Sequence, residues 1–130
     1  MLGVTASIQE RFGDAVARDI DAIGGASAGT FGALLLATGL SARALHVDAH
    51  LDLVTSVRAK GGPLGRWNDC VSDAFLAYLA SVRPDAHADA SGRLHISLSR
   101  VTASGVRLER KSTFESNEDL VDTMIASSFV

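Results

Sequence analysis

A single cysteine, Cys70, stands in the 130 residues, so no disulfide can form within the chain and the composition suits a reducing compartment. Only two prolines and a charged fraction of 21% set it apart from the Pro-rich or charge-dominated compositions of disordered chains. Basic residues are not in excess: 12 Lys and Arg against 15 Asp and Glu give a net charge of −3, and the signs are too mixed to form a basic stripe for a phosphate backbone. Nucleic acid is therefore not an expected partner. Long apolar runs are missing too. The longest, Phe31 to Leu40, is interrupted by Gly32, Thr38 and Gly39 and falls short of the about 20 residues that a membrane-spanning helix needs. The opening MLGVTASIQERFGDAVARD has no basic start followed by a sustained apolar region, so it does not read as a secretory signal. What the chain does have is 47% hydrophobic residues, enough for one compact core.

Periodicity divides that hydrophobic content into elements. Leu2, Val4, Ile8 and Phe12 lie close to a helical i, i+4 stripe with Gly13 as a stop. The run Ile20 to Ile23 ends at Gly24 and Gly25, as a buried strand entering a tight turn does. Ala28 to Thr38 reads as a helix closed by Gly39. Ser41 can cap a second long helix to about Lys60, with Leu45, Val47, Leu51, Leu53, Val54 and Val57 on its buried side, before Gly61 to Gly65 break it. Trp67 to Val82 repeats apolar residues at three- and four-residue steps and stops at Pro84. The polar DAHADASG then reads as a linker. After Gly92 the period changes to two: Leu94, Ile96 and Leu98, then Val106 and Leu108 beyond Gly105, predict a hairpin. Ser116 followed by Asp119 resembles a capping box opening a last helix. Both ends read as cut, so the expectation is one partial domain over 1–130.

The residues Gly25, Ala26, Ser27, Ala28 and Gly29 fit G-x-S-x-G, a turn in which a strand passes sharply into a helix and holds a serine out at the top of a sheet. Glycines flank it because a Cβ there would collide with the neighbouring strand or helix. Such a short pattern arises easily by chance, but here it follows an expected strand and opens an expected helix. The arrangement would expose the Ser27 hydroxyl as a nucleophile, with the Ala28 backbone N–H and the helix N-terminus positioned to receive an oxyanion. The competing reading is of small residues packing a strand against a helix.

Five segments, in this order, resemble the patatin-like phospholipase family, and within it the branch holding adiponutrin and adipose triglyceride lipase. LGVTASIQERFGD is similar to the helix after the family's glycine-rich oxyanion loop, and IGGASAGTFGALLLATGL to its nucleophile elbow. GPLGRWN is similar to the loop before the next helix. HADASGRLHISLSRV and FESNEDLVDTMIASSFV resemble a characteristic strand and the helix approaching the second catalytic residue, and these are the more specific matches. The resemblance implies a three-layer α/β/α fold, here incomplete at both ends. It also implies a Ser-Asp dyad that hydrolyses esters of acylglycerols or phospholipids without metal or cofactor. Ser27 matches the nucleophile. The family's aspartate precedes a glycine, and no Asp in this chain does, so the resemblance places that base beyond Val130 and the oxyanion loop before Leu2. Alone, the 130 residues should be nearly inert. The implied setting is cytoplasmic lipid catabolism, with peripheral association at lipid droplets or membranes.

Ordinary readings suit the remaining candidates. His46 and His50, with Asp48 and Asp52 nearby, have a spacing that could hold a metal, yet no third ligand is evident and a solvated helix face is the plainer reading. Asp69 and Asp73 read the same way. His95 should point away from the core, and Arg100 could pair with an acid at the surface. Cys70 and the Trp67, Phe75, Tyr78 stripe read as core. Two rival functions stay open: a non-catalytic lipid-surface or regulatory module built on the same fold, and an unrelated serine hydrolase using His87 or His95.

Overall fold

A helix that is apolar on every side has to be surrounded by protein. Gly29–Thr38 is such a helix, with Thr30 and every residue from Gly32 to Thr38 buried, and the rest of the chain is arranged about it. The computed structural model describes residues 2–59 and 67–128. In chain order the elements are α1 (Leu2–Phe12), α2 (Ala15–Asp19), β1 (Ile23–Gly25), α3 (Gly29–Thr38), α4 (Ala42–Ala59), α5 (Trp67–Val82), α6 (Ala86–Ala90), β2 (Leu94–Thr102), β3 (Gly105–Lys111) and α7 (Asn117–Ser128). Among the described residues helix and strand are mixed around one three-stranded sheet of order β1-β2-β3.

β1 and β2 run parallel, Ile23 opposite Leu94 and Gly25 opposite Ile96, so the helices between them form a long crossover. β2 and β3 are an antiparallel hairpin, with Thr102 opposite Gly105. Leu94 and Ile96 are fully buried on the face met by α3 and α7. Leu34, Leu35, Phe75, Leu79, Leu120, Val121 and Met124 belong to the same core. Phe31 meets Phe75 edge to face at 5.1 Å, and Cys70 is buried on α5. No helix among the described residues is long and apolar enough to cross a membrane.

Several boundaries coincide with the sequence expectations because local chemistry sets them. Gly13 at φ +59° donates to the Gln9 carbonyl, and Gly39 at φ +73° closes α3 in the left-handed region open to glycine. The Ser41 hydroxyl accepts the Ala44 N–H at 3.2 Å, and Ser116 accepts the Asp119 N–H at 3.2 Å. The break over Gly61 to Gly65 lies outside the described residues.

Two expectations are corrected, and packing decides which way two correctly expected elements, α1 and the hairpin, face. The strand begins at Ile23 and takes in both glycines, because its position is fixed by pairing with β2 and not by the apolar run Ile20 to Ile23. DAHADASG is not a plain linker: Ala86 and Ala90, four residues apart, are fully buried on a short helix against α3 and α7. The α1 stripe faces outward at Val4 and Phe12, while Thr5 is buried; a Cβ on Gly32 would stand 2.8 Å from Thr5 Oγ1, so the absence of one lets α1 lie close on α3. Val106 and Leu108 lie opposite Val101 and Ser99, on the face away from Leu94 and Ile96, and are exposed.

Candidate active site at the strand-to-helix elbow

The carbonyl end of α3 is held by side chains from three other segments. Gln9 Nε2 donates to the Leu35 and Leu40 carbonyls, and its Oε1 accepts the Ala42 N–H. Arg83 donates to the Thr38 carbonyl at 2.8 Å while its Nε meets Asp89. Arg93 donates to Ala37 at 2.7 Å, and also to Ala17 and Ile20 at the end of α2. Cationic donors suit the negative end of the helix dipole. With that end fixed, the N-terminus of α3 is fixed as well.

At that N-terminus Ser27 takes φ +52°, and among the described residues it is alone among non-glycines in having positive φ. A side chain held in the left-handed region is strained, and such strain concentrates at functional turns. Gly25 shows why the turn needs glycine: a Cβ there would stand 2.8 Å from Thr30 Cα and 2.9 Å from Thr30 N. The turn is closed by Gly29 N–H donating to Ala26 and Thr30 N–H donating to Ser27, with Thr30 Oγ1 adding a second bond to the Ser27 carbonyl at 2.8 Å. The Ser27 N–H donates to Ser127 Oγ at 3.0 Å.

Ser27 is exposed, and its hydroxyl makes no hydrogen bond among the described residues. Nor does the Ala28 N–H find an acceptor among them. In this arrangement the hydroxyl is open to an acyl carbonyl, given a base to take its proton, and the free N–H at the positive helix end is the group that would receive the developing oxyanion. An open cleft of about 540 Å³ runs from this turn along Ala22 to Ala26, bounded by His95, Ser97 and Arg110.

Among the described residues, none of the other sequence candidates is hydrogen-bonded to Ser27. His87 is engaged with Asn117, its N–H at 2.9 Å and Nδ1 at 3.1 Å from Oδ1. His95 is half-buried and faces the cleft, opposite Gly24 in the register. Asp69 and Asp73 are exposed, Arg100 pairs with Glu109 at 3.4 Å on the surface, and Phe75 and Tyr78 belong to the core. The side chains of His46, Asp48, His50, Asp52 and Trp67 lie outside the described residues. Among the described residues no group of three metal-ligating side chains gathers. Sequence reasoning missed Ser127 and Thr30 as partners of the elbow. Thr30, three positions after Ser27, had a local signal; Ser127 had none. In comparisons with known proteins, no family model, no curated protein and no solved structure matches this chain.

Proposed function

We propose that the chain is part of a lipid acyl hydrolase of the patatin type, with Ser27 as its nucleophile and an acylglycerol or phospholipid as substrate. The observation that carries the reading is the conformation of Ser27: positive φ between a strand and a buried helix, with its hydroxyl exposed and the next N–H free. On this reading Ser27 Oγ attacks the acyl carbonyl while an aspartate from outside these residues takes its proton. The Ala28 N–H receives the oxyanion. The ester bond breaks, the departing alcohol takes the proton back, and water then hydrolyses the acyl-enzyme in the same two stages. No metal or cofactor enters the scheme. The exposed face of the sheet would carry the third layer of the α/β/α fold, and the setting would be cytoplasmic, at the surface of lipid droplets or membranes.

One observation favours a second reading. Val101, Val106 and Leu108 share an exposed face of the hairpin, which would suit a non-catalytic module at a lipid surface. Hydrolysis separates the two. The longest in-frame product containing these residues should release fatty acid from mixed phospholipid and triacylglycerol vesicles, and Ser27→Ala should abolish the release. Vesicle binding without release by the wild type would favour the module.

A further inference from the structure

Ser127, on the last turn of α7, is 100 residues from Ser27, yet its hydroxyl accepts the Ser27 N–H at 3.0 Å and donates its own proton to the Ser97 carbonyl at 2.7 Å. We propose that Ser127 is the positioning residue of the nucleophile: its hydroxyl ties the elbow to β2 and α7 and holds Ser27 at positive φ. The inference rests on the esterase reading of Ser27.

The argument is one of satisfied valences. Ser27 is exposed, so its strained backbone gets little help from burial, and a positive φ persists where surrounding bonds over-determine it. The Ser27 carbonyl is fixed from within the turn by Thr30. Its N–H has no partner in the turn and is fixed from outside by Ser127. A hydroxyl has one proton, and here the Ser97 carbonyl takes it, so the lone pairs of Ser127 Oγ are turned toward Ser27. The same bond occupies the Ser27 N–H, while the next one, of Ala28, has no acceptor among the described residues. Ser127 does not touch the reacting atoms; it acts through the backbone of Ser27.

The test pairs two readouts on the in-frame product. Amide hydrogen exchange at Ser27 reports the bond itself, and the rate of Ser27 labelling by a fluorophosphonate probe, with kcat and KM on a soluble ester, reports its effect on the nucleophile. Ser127→Ala and the nearly isosteric Ser127→Cys should each speed Ser27 exchange and slow labelling by about tenfold or more, with kcat reduced and KM unchanged. Ser127→Thr should restore both. Ser128→Ala, which removes a hydroxyl bonded to the Met124 carbonyl within its own helix, should change neither. Labelling at the wild-type rate in folded Ser127→Cys, or unchanged Ser27 exchange, overturns the proposal. A wild type that is folded and never labels refutes the esterase reading, and with it any role for Ser127 in positioning a nucleophile, even where its exchange effect persists.

Discussion

Gly25 and Thr30 stand so close that a Cβ on the glycine would lie 2.8 Å from the threonine Cα. The obstacle is backbone, which cannot swing aside as a side chain would. Gly25→Ala should therefore destabilise the protein by about 1–3 kcal/mol and displace the start of α3. Urea unfolding measures the first effect, and loss of Ser27 labelling the second.

Arg93 joins β2 to the carbonyl ends of α2 and α3 through the Ala17, Ile20 and Ala37 carbonyls. Arg93→Met should cost about 2–4 kcal/mol, because each bond is charge-assisted and the carbonyls left behind are partly buried. Arg93→Lys should recover little, since an ammonium lacks the planar fork that reaches three acceptors. Thermal unfolding of both variants against the wild type checks this.

Asp119 sets an acid limb to stability. The Lys111 ammonium bonded to its carboxylate, followed by the Glu115 N–H, holds its pKa below the ordinary value. A depressed carboxyl contributes stability that is present above the unfolded-state pKa and is lost as pH falls through the folded one. The thermal midpoint should therefore drop as pH goes below about 4. Asp119→Asn should lower the midpoint at neutral pH and make that limb shallower.

Exposure separates two kinds of apolar residue. Phe75 is 4% exposed and Leu108 is 85% exposed. In the 130-residue chain Phe75→Ala should cost about 3–5 kcal/mol, whereas Leu108→Ser should change stability by no more than about 0.5 kcal/mol. Denaturant midpoints for the pair check whether the hairpin face is as free of packing as its register makes it.

What the sequence shows of this fold follows the range of the forces involved. The bounds of α5, the Ser41 cap and the Gly39 stop depend on residues a few positions apart, and all three are legible. The bounds of β1 depend on Leu94 to Ile96, some seventy residues on, so the apolar run Ile20 to Ile23 misplaces it. The hairpin had a usable signal: with Ala103 and Ser104 as its turn, Val106 must oppose Val101 and share its outward face. Ala86 and Ala90 were concealed by polar neighbours although their spacing is helical. The G-x-S-x-G pattern marked the elbow and its glycines, while the bond from Ser27 to Ser127 joins residues 100 apart and has no local trace.

The most direct measurement is fluorophosphonate labelling followed by mass spectrometry of the modified peptide, comparing the 130-residue chain, the longest in-frame product and its Ser27→Ala variant. The account predicts a single modified residue, Ser27, in the in-frame product, little labelling of the 130 residues alone and none in the variant. A folded in-frame product that stays unlabelled, or one labelled equally when Ser27 is alanine, would contradict it.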